Sequence, residues 1–154
     1  MGKQLRADKG GRPFVVQPEL TEGCSMRFGS GPGGLCSFCG LTAIRTGPGE
    51  YKWMSIETAE KLAAECGLFC PQARVEFAMR GEPLMNPKHL EIFRLFRRFM
   101  PRTQLMVTTN GDTLRNRMQK AVDTIFDTGL NFILLDTRTI RKIVVMHYAR
   151  KRMT

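Results

Sequence analysis

Three of the five cysteines of this chain lie in one stretch, CSMRFGSGPGGLCSFCG, residues 24–40. Cys36 and Cys39 are separated by two residues, a spacing that lets both thiolates bind one soft metal ion or one iron–sulfur cluster. Cys24 lies upstream across a glycine-rich gap of eleven residues. A third thiolate would complete a three-point cradle and leave one iron of a four-iron cluster open to a substrate or cofactor. The spacing predicts a metal centre in which Cys24 is either a ligand or a bystander.

The two remaining cysteines offer an alternative. Cys36-x2-Cys39 together with Cys66-x3-Cys70 would form a tetrahedral four-cysteine zinc site in a non-catalytic module. The pattern favours buried structural thiols for Cys66 and Cys70 over zinc ligands, because Cys66 lies near the end of a predicted amphipathic helix. The odd cysteine count and the absence of an export-signal pattern at the start of the chain favour a reducing, cytoplasmic setting over a disulfide framework.

The composition indicates one globular domain. The chain has 154 residues, and its 42% apolar content is too high for a disordered protein. No apolar run reaches the ~18 residues of a membrane span, so no membrane partner is expected. The net charge is +10, with basic side chains at Arg94, Arg97, Arg98 and in residues 138–152. This excess predicts either attraction to nucleic acid or a solvated basic face, since no aromatic-interleaved binding motif accompanies it.

Strand and helix patterns alternate along the chain. Short β-prone or apolar runs predict strands in FVVQPEL (14–20), RVEFAM (74–79), QLMVTTN (104–110) and NFILLD (131–136). Helical periodicity predicts helices beginning at Ser55, at His89 and, with Asp112 as its N-cap, over residues 112–129. Residues 139–152 are ambiguous between strand and helix.

This order predicts an α/β fold, a parallel sheet with helices on its outer face. In such sheets ligands bind beyond the carboxyl ends of the strands. Unusual residues lie at or just after the end of each predicted strand: the cysteine segment, Arg80-Gly81-Glu82-Pro83, Thr109-Asn110-Gly111 and Asp136. Read alone, Gly81-Glu82-Pro83 is either an ordinary turn or a turn that presents a carbonyl or carboxylate to a bound ammonium group.

Together and in this order, these motifs resemble those of the radical S-adenosylmethionine (SAM) enzymes. That family usually carries C-x3-C-x-aromatic-C after its first strand; Cys36-Ser37-Phe38-Cys39 matches the second half, whereas the first gap here is longer. The family's Gly-Gly-Glu-Pro is similar to Arg80-Gly81-Glu82-Pro83, and its Thr-Asn-Gly to Thr109-Asn110-Gly111. Leu135-Asp136 ends the fourth strand as in the family, and the resemblance spans residues 14–136.

The resemblance implies an enzyme with a 4Fe-4S cluster held by Cys24, Cys36 and Cys39. The fourth iron would chelate the amino and carboxylate groups of SAM. An electron from a donor such as a flavodoxin or ferredoxin would cleave SAM to methionine and a 5′-deoxyadenosyl radical, which abstracts hydrogen from a substrate that the sequence does not name. No catalytic residue is identified beyond the cluster ligands.

The same resemblance implies the SAM contacts. Gly81-Glu82-Pro83 would hold the methionine amino group, and Phe38 would pack near the adenine. Asn110 and Asp136 are further candidates for SAM contacts.

The resemblance also implies the domain organisation. Residues 1–13 are expected to be a flexible N-terminal segment, residues 14–137 an incomplete radical SAM barrel of about four β-α units, and residues 138–154 a basic tail. The family barrel typically has six units. A missing part leaves an open sheet edge on the fourth or fifth strand, so self-association or a partner chain is expected to cover it.

Overall fold

The computed structural model describes residues 11–25, 51–78, 80–114, 118–137 and 142–147, with the backbone alone for Met118, residues 136–137 and residues 142–147. Within them the strands are β1 (Val15–Val16), β2 (Thr21–Glu22), β3 (Lys52–Trp53), β4 (Arg74–Phe77), β5 (Leu105–Thr109), β6 (Phe132–Thr137) and β7 (Lys142–His147). The α-helices are α1 (Ile56–Phe69), α2 (His89–Phe99) and α3 (Met118–Phe126).

Five of these strands form one sheet in the order β1-β4-β5-β6-β7. The first four strands in this order are parallel, with Val75 opposite Leu105 and Thr109 opposite Leu135. A helix connects β4 to β5 and another connects β5 to β6, as parallel neighbours require. The predicted α/β fold with a parallel sheet is therefore confirmed. The short strands β2 and β3 form a separate antiparallel pair, which the sequence did not predict.

The ambiguous segment near the C-terminus forms a strand. β7 pairs with β6 in antiparallel register, with Val144 opposite Leu135. Part of the expected basic tail, residues 138–154, thus belongs to the sheet. Among the described residues, β7 is the fifth and outermost strand of the sheet beyond β6, so the open edge on that side is formed by β7 and not by β6.

An aromatic cluster joins α2 to the centre of the sheet. Phe77 of β4 lies 4.6 Å from Phe93 and 5.1 Å from Phe96, measured between ring centroids. All three side chains are fully buried, and each contributes about 1.5–3 kcal/mol through burial. Helical spacing puts both α2 rings on one face, as the sequence predicted. This packing fixes β4, whose carboxyl end leads into Gly81.

The helix ends differ in how well the sequence located them. Ser55 caps α1, since its side chain accepts a hydrogen bond from the Thr58 N–H at 3.2 Å. The helix predicted over residues 112–129 is wrong at both ends, because Asp112–Leu114 form a 3-10 turn and residues 127–129 form a turn after α3, Met118–Phe126. Asp112 begins that separate turn because its N–H bonds to the Asn110 side chain at 2.9 Å. In the described part of the chain, no helix has the length and apolarity needed to cross a membrane.

Candidate functional site

The carboxyl edge of the sheet brings Cys24 against the turns that follow β4 and β5. Asn110 Nδ2, just past β5, lies 3.4 Å from Cys24 Sγ. The Glu82 N–H, just past β4, donates to the Gly23 carbonyl at 2.8 Å. The Cys24 side chain is buried, with 8% of its surface exposed. Three predicted motifs that are distant in sequence therefore meet at this edge.

Gly81 allows the turn after β4 to touch the backbone beside Cys24. A Cβ atom at position 81 would lie 1.7 Å from the Thr21 carbonyl oxygen and 2.8 Å from that of Gly23. Gly81 is not among the described glycines that have a positive φ. Space, not backbone conformation, therefore requires glycine here, and this turn is a specific contact rather than an ordinary strand ending.

The Glu82 carboxylate joins the ends of β4 and β5. Its Oε1 accepts from the Thr109 hydroxyl at 2.6 Å and from the Leu84 N–H at 3.1 Å, and its Oε2 accepts from the Asn110 N–H at 2.8 Å. Burial raises the pKa of Glu82, and these three hydrogen bonds oppose that rise. The carboxylate thus has a clear structural task, holding neighbouring strand ends in register.

The Thr-Asn-Gly turn is equally constrained. The Thr109 hydroxyl also accepts from the Gly111 N–H at 3.1 Å. Gly111 has a φ of 75°, and a Cβ there would lie 2.4 Å from Leu135 Cδ1 on β6. Both its conformation and its close approach favour glycine at this position. The turn therefore holds Asn110 at one place on the edge.

Sequence reasoning missed Asn86, which holds the β2–β3 pair in place. Its side chain is fully buried, and Nδ2 donates to the Leu20 carbonyl at 2.8 Å and the Met54 carbonyl at 3.1 Å. Its Oδ1 accepts from the Lys88 N–H at 2.8 Å. Residues 20 and 54 adjoin β2 and β3, so Asn86 positions the segment that leads to Cys24. No sequence signal distinguished it from a common Asn-Pro turn.

Arg80 occupies the position of the first glycine in the resembled motif. Its guanidinium reaches Glu19, with Nη2 2.7 Å from Oε2 and Nε 3.1 Å from both carboxylate oxygens. Glu19 lies between β1 and β2. The arginine side chain is thus directed to a partner on the chain just before Cys24, and it adds a further connection between these two segments.

The surroundings of Cys24 fit a thiolate-ligated cluster. The Thr21 Oγ1 and Ser25 Oγ atoms are buried and have no hydrogen-bond partner among the described residues. A buried unpaired hydroxyl costs about 1–3 kcal/mol, and an O–H group is a donor that cluster and thiolate sulfurs accept. Both hydroxyls belong to residues within three positions of Cys24 along the chain, and together with the Asn110 amide they are donors of the kind that the sulfurs of an iron–sulfur site accept.

Several predicted site residues lie outside the described residues. They are Cys36, Phe38 and Cys39, together with the side chain of Asp136, whose backbone pairs with Ile143. Within the described ranges, no group of three or more His, Cys, Asp or Glu side chains is arranged to hold a metal ion. Cys24 is the one predicted cluster ligand that these ranges contain.

Cys66 and Cys70 belong to the hydrophobic core. Both are buried, and Cys70 caps α1 through a hydrogen bond from its N–H to the Cys66 carbonyl at 2.9 Å. Burial, and to a smaller extent the neighbouring Cys70, raises the pKa of Cys66 to about 11. The chain enters β4 at its amino end four residues after Cys70, so this pair lies at the sheet edge opposite Cys24. These observations agree with structural thiols and lend no support to the zinc module.

Comparison with known proteins points to one family. A family model described as the Radical SAM superfamily matches residues 19–153. Among solved structures, BtrN in complex with AdoMet and 2-DOIA has a TM-score of 0.63 at 19% identity, covering 79% of this chain and 44% of that one. Selenomethionine BtrN in an open conformation has a TM-score of 0.62 at 18% identity, covering 79% and 49%. The chain therefore spans less than half the length of these neighbours, which share its fold. A search of curated proteins found no match.

Proposed function

This chain belongs to the radical SAM superfamily, and from that premise we propose that it binds a 4Fe-4S cluster through Cys24, Cys36 and Cys39, with SAM beside it. When bound, this pair supplies the reductive cleavage of SAM to methionine and a radical that abstracts hydrogen from a substrate. The protein's own task is to bind, orient and shield the reacting groups. The electron donor is proposed to be a flavodoxin or ferredoxin.

The position of Cys24 carries the proposal. Its sulfur is buried at the carboxyl edge of a parallel sheet, where ligands of such sheets bind. It lies 3.4 Å from Asn110, and its neighbour Gly23 accepts from the Glu82 N–H. Cys24 thus contacts one of the other two family motifs, and its neighbour Gly23 contacts the second. This favours Cys24 as a ligand despite the eleven residues that separate it from Cys36.

The hydrogen bonds of Glu82 refine the proposed SAM contacts. Both carboxylate oxygens already accept from donors of the protein. Glu82 is also buried, with 3% of its surface exposed. We infer that a main-chain carbonyl of the Gly81-Glu82-Pro83 turn, rather than this carboxylate, receives the amino group of SAM. The Glu82 and Pro83 carbonyls each accept one main-chain N–H at 3.2 Å and keep a second lone pair. Phe38 is proposed to pack near the adenine and Asp136 to contact SAM.

The open edge of the sheet is the basis for the proposed partners. This chain spans less than half the length of the neighbouring BtrN structures. In the part of the chain that the structure describes, β7 forms one outer edge of the sheet. Self-association or a partner chain is proposed to cover this edge, because an exposed strand edge is a template for pairing.

Anaerobic reconstitution of the full chain with iron and sulfide tests the proposal. We expect four irons per chain in the wild type, loss of the cluster in Cys24→Ala and Cys36→Ala, and an intact cluster in the matched Cys66→Ala control. Iron and sulfide analysis with charge-transfer absorbance measures this. Reductant-dependent formation of 5′-deoxyadenosine then tests catalysis. Full iron content in Cys24→Ala, or zinc that depends on Cys66, would refute the proposed ligand set.

A further inference from the structure

We propose that Asn110 is a positioning residue for Cys24. The side-chain amide of Asn110 donates a hydrogen bond to the ligand sulfur of Cys24 and thereby raises the reduction potential of the cluster. This inference rests on the proposed function, and it assigns Asn110 a role other than the SAM contact that the family resemblance implies. It follows from the distance of 3.4 Å between Asn110 Nδ2 and Cys24 Sγ.

The hydrogen-bond network determines which end of the amide faces the sulfur. Asn110 Oδ1 accepts from the Asp112 N–H at 2.9 Å. An oxygen is the required partner for that donor, because a reversed amide would place NH2 against N–H. The NH2 group must then face Cys24. The amide therefore presents a donor, not an acceptor, to the sulfur.

Both partners of this hydrogen bond are anchored independently of any cluster. The Asn110 N–H donates to Glu82 Oε2 at 2.8 Å, which holds the residue from its main chain. The Glu82 N–H in turn donates to the Gly23 carbonyl beside Cys24, also at 2.8 Å. Glu82 thus fixes the amide and the cysteine segment relative to each other. The donor is set in place before the ligand sulfur meets iron.

A fixed donor at a ligand sulfur acts on the redox equilibrium. Reduction adds negative charge to the cluster and its thiolates, and an N–H group stabilises this charge more in the reduced state than in the oxidised state. Hydrogen bonds to sulfur are one of the main determinants of iron–sulfur potentials. Removing the Asn110 amide should therefore make the cluster harder to reduce, even without SAM.

The test is a redox titration of the reconstituted full chain without SAM, in which electron paramagnetic resonance measures the fraction of reduced cluster. At the wild-type midpoint potential, we expect Asn110→Ala to lower the ratio of reduced to oxidised clusters by about three- to tenfold, the size of one hydrogen bond's effect on an equilibrium. A tenfold change corresponds to about 59 mV for one electron. Asn110→Asp keeps an acceptor for Asp112 but places an anionic oxygen near sulfur, so a larger decrease is expected.

Gln119→Ala is the matched control, because it removes an exposed amide that bonds to Asp123 on α3. Its potential should equal that of the wild type. If Asn110→Ala folds poorly, Asn110→Asp still allows a refutation, because it removes the donor and adds a negative charge, so an unchanged potential in that variant overturns the inference. Loaded variants with wild-type potentials overturn the inference and leave the proposed function standing, and weaker SAM binding at an unchanged potential would assign Asn110 to SAM instead. A wild-type chain that takes up no cluster overturns both.

Discussion

Replacing Gly81 by alanine tests whether close contact with the Cys24 segment holds the site together. The new Cβ would lie 1.7 Å from the Thr21 carbonyl oxygen, whereas almost no real Cβ contact is shorter than 3.0 Å. The two backbone segments must separate by about 1.5 Å, because a packed interior has no space to absorb the atom. The hydrogen bond from the Glu82 N–H to the Gly23 carbonyl, now 2.8 Å, would then be lost.

The expected loss of stability combines two effects. Overpacking costs about 1–3 kcal/mol and the lost hydrogen bond about 1 kcal/mol, so the free energy of unfolding should fall by about 2–4 kcal/mol. Urea denaturation under reducing conditions should show a midpoint lower by about 1–2 M, for a slope near 2 kcal/mol per M. Iron uptake per folded chain should fall as well, because Cys24 moves with its segment.

Gly11→Ala is the control for this experiment. Gly11 has a φ of 77°, and a Cβ atom added there would have no neighbouring atom within 4 Å, so alanine meets only backbone strain of about 1 kcal/mol. If Gly81→Ala unfolds at the same urea concentration as Gly11→Ala, the steric argument is wrong.

Two further predictions concern titratable groups. Because burial raises the pKa of Glu82 above 4.5, the native protein binds this proton more tightly than the unfolded chain, so wild-type stability relative to Glu82→Gln should fall as the pH rises above 4.5. Urea unfolding from pH 4.5 to 7.5 measures this, and parallel stability curves would contradict it. With its pKa raised from 9.0 to about 11, native Cys66 should be alkylated at pH 8 about 100-fold more slowly than in urea, as followed by mass spectrometry. The contribution of the protonated Cys66 thiol to stability should be present below pH 9 and disappear as the pH rises towards 11. Equal alkylation rates in the native protein and in urea would refute the raised pKa of Cys66.

Local sequence patterns were sufficient to predict the secondary-structure elements that pack against the core through one face. The α2 helix was predicted because apolar residues recur at helical spacing, and the structure buries Phe93 and Phe96 against Phe77. The start of α1 at Ser55 was likewise predicted, since a helix start depends on residues within one turn. The third helix was predicted too long because the Asn110 side chain bonds to the Asp112 N–H and begins a separate turn.

The sequence by itself determined the α/β order of elements and the set of strand-end motifs, because periodicity and motif spacing are local properties of the chain. Only the tertiary structure decided that Cys24 lies beside Asn110, that Asn86 holds the β2–β3 pair and that β7 returns antiparallel to β6. Each of these depends on contacts between segments far apart in sequence. Such contacts are selected by how the whole sheet packs, and no local spacing encodes them.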